Sequence, residues 1–201
     1  MSLSSKKMKI YLILAFTISS ILIAQSGSVK SLTNKAVSDY EGGNYMSAIE
    51  NMEKALDIVK NKQGNTLNKL LPQTLPGWTR GENSSRSFDP RGLDDGHLVE
   101  QTYNKGTGYI TAAIILDAPM VDDVREMLNN ARANESRLGY KLESIANKRA
   151  LVRYYDDQNQ GEITILANST AIAAVYGKNV TLREMMNYAR LFKFSEIGKV
   201  K

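Results

Sequence analysis

His97 is the single histidine of this 201-residue chain, so histidine-based proton transfer near neutral pH would have to run through it. It stands beside Asp94 and Asp95, with Ser84 and Ser85 upstream. A serine nucleophile needs a base oriented by a carboxylate, and a rigid turn that presents its hydroxyl. Nothing here supplies that turn: there is no Gly-x-Ser-x-Gly, and both serines lie in the polar run GENSSRSFDPRGLDDG. A histidine opening a strand is the simpler reading. A hydrolase built on His97 and Asp95 is the weakest of the functional readings.

Three Asp-Asp pairs, at 94/95, 122/123 and 156/157, raise the question of calcium. A calcium loop spaces its oxygen ligands as Asp-x-Asp-x-Asp-Gly with a later Glu. DDQNQGE comes closest but has neither that spacing nor the distal Glu, and reads as a hairpin turn. Asp122 and Asp123 fall in the first turn of a helix, where negative charge favours the helix dipole. Gly106-Thr107-Gly108 lies in a hairpin, without the third glycine and the strand-to-helix setting of a nucleotide fingerprint. The absence of cysteine removes disulfides, thiol catalysis and thiolate metal sites. No catalytic, cofactor-binding or metal-binding residue is therefore assigned, and the expectation is a protein that is not an enzyme and needs no cofactor.

Lys6, Lys7 and Lys9 precede an uncharged apolar run from Ile10 to Ala24, the pattern of a secretory signal. The run is shorter than the roughly 20 residues that cross a bilayer, so cleavage is expected, after Ser26, and a membrane role only if the segment is retained as an anchor. These residues carry three lysines and no acid, so their removal takes the net charge from +5 to +2. A charge that small leaves no footprint for nucleic acid. Export without cysteine suits a bacterial periplasm, and the Asn-x-Ser/Thr sites at Asn83, Asn134, Asn168 and Asn179 then carry no glycan.

Helices and strands follow from periodicity. Residues 31–70 read as two helices broken at Gly42-Gly43, with Ala48, Ile49, Met52, Ala55, Leu56 and Val59 forming one apolar stripe at helical spacing. Pro72 and Pro76 end the helical region. Trp78, the only tryptophan, then opens a second domain, residues 72–196, as an anchor at the edge of its sheet. HLVEQTY and YITAAIILD flank NKGTG as a hairpin, and the nearly all-apolar second strand is expected to be central. A helix follows, with Val124, Met127, Leu128 and Ala131 inward. Then come KLESIA, KRALVRYY, EITILA and TAIAAVY, and a last helix opened by the capping box Thr181–Glu184 with Leu182, Met185, Met186 and Ala189 inward. Tyr154 and Tyr155 point to opposite faces of their strand. The fold class expected is α+β, an antiparallel sheet of about six strands covered by helices and preceded by a helical hairpin.

GGNYMSAIENMEKALDI resembles the second half of a tetratricopeptide repeat, with Gly43, Tyr45, Ala48, Ile49, Met52 and Ala55 at consensus places; Lys35 and Asp39 depart from the pattern. A lone unit cannot bury both its faces. It has to dock on the rest of the chain, the expectation here, or on a partner. The full order of signal, hairpin, LPGWT (75–79) and strands ending in EITILANSTAIAAVYG resembles a group of uncharacterised exported bacterial proteins. LPGW before a strand-rich domain is also similar to PsbP-like domains, a resemblance that implies an accessory subunit.

These readings converge on an envelope or periplasmic protein that binds another protein in an accessory or scaffold role. Tyr45, Met52 and Tyr155 are the candidate partner-binding residues. The alternative is a small-ligand or lipid carrier with a pocket between sheet and helices, lined by Met127, Leu128, Met185 and Met186.

Overall fold

The computed structural model describes residues 28–87, 96–117, 120–130 and 139–200. The signal segment, Asp94, Asp95 and Ala131 lie outside the described residues. The chain divides into two compact units, one ending at Lys62 and the other beginning at Gln63.

The first unit is the helical hairpin: α1 covers 28–41, and α2 starts at Tyr45 and ends at Asn68, past the division. Gly43, at φ +77°, takes the left-handed conformation that closes α1. Behind it, the Gly42 amide donates to Ser38 O (3.0 Å) and the Asn44 amide to Asp39 O (2.7 Å). Small side chains let the helices approach, for Ala36, Ala48 and Ala55 are all buried. A polar clasp sits beside them. Asp39 Oδ2 accepts from Ser47 Oγ (2.6 Å) and from the Nδ2 of the buried Asn51 (2.9 Å). Asp39, which departs from the repeat consensus, thus ties one helix to the other.

The second unit is built on one antiparallel sheet of seven strands: β1 (Thr79–Ser87), β2 (His97–Lys105), β3 (Gly108–Leu116), β4 (Lys141–Ile145), β5 (Lys148–Tyr155), β6 (Gln160–Leu166) and β7 (Ala171–Lys178). Their spatial order is β1-β2-β3-β7-β6-β5-β4. The last four strands form the expected meander. β7 takes the middle of the sheet, with β3 next to it, paired in register from Tyr109↔Lys178 to Leu116↔Ala171.

The expected count of six strands is corrected to seven. The added strand is β1, TRGENSSRS, whose residues carry no apolar alternation. Side-chain hydrogen bonds hold it instead. Its register on β2 shifts between Arg80 and Asn83, and the fully buried Gln101 fills that bulge. Gln101 Nε2 donates to Gly81 O (3.0 Å), Glu82 O (2.9 Å) and Thr102 O (2.8 Å), while its Oε1 accepts from Arg80 Nε. A buried amide so fully satisfied holds an edge strand that burial alone would not specify.

Alternation along the strands gives the sheet two apolar faces. Ile110, Ala112, Ile114 and Leu116 of β3 join Ala171, Ala173 and Val175 of β7 in the main core, with Ile163 and Ile165 of β6. The helices α4 (Leu182–Ala189) and α5 (Phe194–Ile197) complete it through Met185, Tyr188, Ala189, Phe194 and Ile197. Between β3 and β4, α3 (Met120–Asn129) packs on β5 and β6; it buries Val121 and Leu128 outside that cluster. Of the inward residues expected for α3, Leu128 alone is fully buried; Val124 and Met127 are intermediate.

Trp78 is buried in the main core, its ring edge-on to Tyr188 at 5.3 Å. Gly77, at φ +80°, makes the turn before it. Two tyrosines fix the incoming segment: Tyr103 Oη donates to Pro72 O, and Tyr188 Oη accepts from the Leu75 amide at 3.4 Å. Leu67 and Leu71 belong to the same core. The second unit therefore recruits the final turns of α2, and starts earlier than the prolines suggest.

Candidate protein-docking groove on the helical hairpin

Between α1 and α2 runs a furrow of 920 Å³. Its α1 wall is Ala36, Val37, Tyr40 and Glu41; its α2 wall runs from Tyr45 through Ala48, Ile49, Met52 and Glu53 to Leu56. The apolar stripe read from the sequence is thus divided. Ala48 and Ala55 are buried, whereas Ile49, Met52, Leu56 and Val59 are each about half exposed. Large apolar side chains left half exposed along one furrow make this face a candidate interaction site.

Tyr40 and Tyr45 stand at the turn end with ring centroids 5.6 Å apart and planes tilted by 60°. Among the described residues the charged ones that line the furrow are Glu41 and Glu53. Neither carboxylate takes part in a salt bridge among the described residues. Glu50 is different: its pKa is held below the ordinary value by the hydrogen bond from Lys54 (2.6 Å) and by that lysine's charge.

Two of the three candidate binding residues, Tyr45 and Met52, line this furrow. Tyr155 does not; it lies at the end of β5 in the second unit, 42% exposed. Its ring sits 5.8 Å from the Arg153 guanidinium, which also lies 4.5 Å from Tyr140 and pairs with Glu162 at 2.6 Å. Burial raises the Tyr140 pKa to about 12, assisted by its hydrogen bond to Glu162. Tyr154 points the other way and packs against the core, its hydroxyl donating to Val180 O (2.7 Å). The α1 wall, above all Val37 and Tyr40, escaped the sequence reading. Their i, i+3 spacing was the available signal, masked by the polar residues around it.

His97 opens β2, as a strand-opening histidine should, and is buried. Its Nε2 lies 2.9 Å from Ser85 Oγ. Ser84 belongs to a different contact, donating to Glu100 Oε1 at 2.8 Å. Gly64 of α2 comes close to this pair: a Cβ there would sit 2.4 Å from Ser85 Oγ and 2.7 Å from His97 Nε2. His97 thus lies close against α2 at Gly64. Asp122 and Asp123 occupy the first turn of α3, and Asp156-Asp157 the β5–β6 turn. Among the described residues no three of His, Asp and Glu converge as metal ligands would.

The four residues of the alternative ligand pocket are split. Met185 is fully buried in the main core with Met186 packed against it, while Leu128 is buried outside that cluster. Among the described residues no helix is long and apolar enough to cross a membrane. No protein-family model and no curated protein matches the chain.

Proposed function

We propose that this chain is a non-enzymatic accessory or scaffold protein of the bacterial envelope that binds another protein through the furrow of its N-terminal hairpin. One observation carries the reading: a 920 Å³ furrow whose lining is apolar except for two carboxylates. Burying a half-exposed Ile, Met or Leu contributes on the order of 1 kcal/mol. Several such residues on one ridge therefore favour a macromolecular partner. Export is read from the N-terminal lysines and apolar run.

Site-specific photocrosslinking in the native envelope tests it. A photoreactive residue at Met52 should capture one discrete partner, the same residue at exposed Leu142 on β4 should not, and Ile49→Asp should abolish the adduct. Equal adducts from positions 52 and 142, or an adduct indifferent to Ile49→Asp, would remove the furrow from the function.

A further inference from the structure

We infer that the furrow's occupant is an α-helix of a partner protein, about three turns long, apolar on one face and carrying lysine or arginine beside that face. This rests on the protein-docking reading above and adds the chemistry of the partner. Length comes from the walls. From Tyr45 to Leu56 the lining follows α2 for about 16 Å at 1.5 Å per residue. A ridge of that length between two helices suits a third helix laid along it, with anchors at i, i+4 and i+7.

Charge selects among helices. Among the described residues the furrow offers two carboxylates and no lysine or arginine in its lining. Glu41 ends α1 beside the turn, and Glu53 lies two turns along α2, about 12 Å beyond the level of Tyr45. Both carboxylates lack salt-bridge partners among the described residues. Basic residues seven or eight positions apart on the incoming helix would meet both. A second copy of this hairpin would bring these acids toward the same acids, which disfavours self-docking.

The test uses the full chain and two fluorescein-labelled, stapled three-turn peptides. Both carry leucine at the anchor positions. One has lysine at the two flanking positions and the other has glutamate. Fluorescence anisotropy at low salt should show the lysine peptide binding about tenfold more tightly, the effect of two partly exposed charge pairs, with the ratio shrinking at high salt. The double variant Glu41→Lys, Glu53→Lys should invert the preference, and Met52→Glu, at an exposed position compatible with folding, should lose both peptides.

Equal binding of the two peptides, abolished by Met52→Glu, would overturn the basic-helix inference and leave protein docking standing. Binding of neither peptide, or binding untouched by Met52→Glu, would overturn both. Sedimentation of the chain as a dimer that Met52→Glu dissociates would replace the partner helix by a second copy, and so also overturn the inference.

Discussion

Asp39 is the residue on which the hairpin's geometry turns. Its carboxylate accepts from Ser47 and from Asn51, and Asn51 is buried. Asn51 Nδ2 also donates to Ser47 O at 2.9 Å within α2, so removing Asp39 leaves the amide only its own helix. Losing a charged acceptor for a buried donor costs about 1.5–3 kcal/mol. Asp39→Ala should therefore loosen the pairing of α1 and α2 and widen the furrow. Amide hydrogen exchange checks this: protection should fall across 36–52 and stay unchanged in β3 and β7. A uniform loss, or none, would mean that Ala36, Ala48 and Ala55 hold the helices without the clasp. The same residue shows a limit of consensus reading. Judged against a repeat pattern, Asp39 counted as a misfit, because its two partners lie eight and twelve residues away and only the folded hairpin brings them together.

Elements were legible in the sequence where apolar periodicity or local capping and turn chemistry marks them. The hairpin, the β2–β3 turn, the four-strand meander and the capping box of α4 all carry periodic or local signals. In that box the Glu184 amide donates to Thr181 Oγ1 (3.3 Å), and the Thr181 amide to Glu184 Oε2 (2.9 Å). Strand β1 carried no such signal, since its stabilisation comes from Gln101 and from partners in β2. Gly64 usually weakens a helix, yet here it is what lets α2 lie close to Ser85 and His97. Helix preference alone would make Gly64→Ala stabilising by about 1 kcal/mol. The added methyl must instead displace a serine hydroxyl and a buried imidazole, and overpacking of that kind costs about 1–3 kcal/mol. Gly64→Ala should thus lower the midpoint of chemical denaturation of the second unit. A raised midpoint would show that α2 does not rest on the β1–β2 edge as tightly as the 2.7 Å approach to His97 implies.

At the scale of the whole molecule, five tyrosines among the described residues have their pKa raised, and all five belong to the second unit. Burial is the leading cause in every case. It pushes Tyr103 up to about 12, where its ring lies 4.5 Å from that of Tyr188 and its hydroxyl donates to Pro72 O. A group whose folded pKa lies above its unfolded value adds stability that is complete below the unfolded pKa. That stability is lost as pH rises through the folded pKa. The second unit should accordingly lose stability as pH rises from about 10 to about 12. Its raised tyrosines should ionise together with unfolding. Absorbance at the phenolate band, followed beside far-ultraviolet circular dichroism, checks this: a rise in absorbance should coincide with the loss of sheet signal. Tyr103→Phe removes the ionisable hydroxyl, and should shift that coincident step to higher pH even though the bond to Pro72 is lost. Ionisation of the raised tyrosines that is complete before the sheet signal changes would mean that the ring cluster around Trp78 admits water and does not close the core.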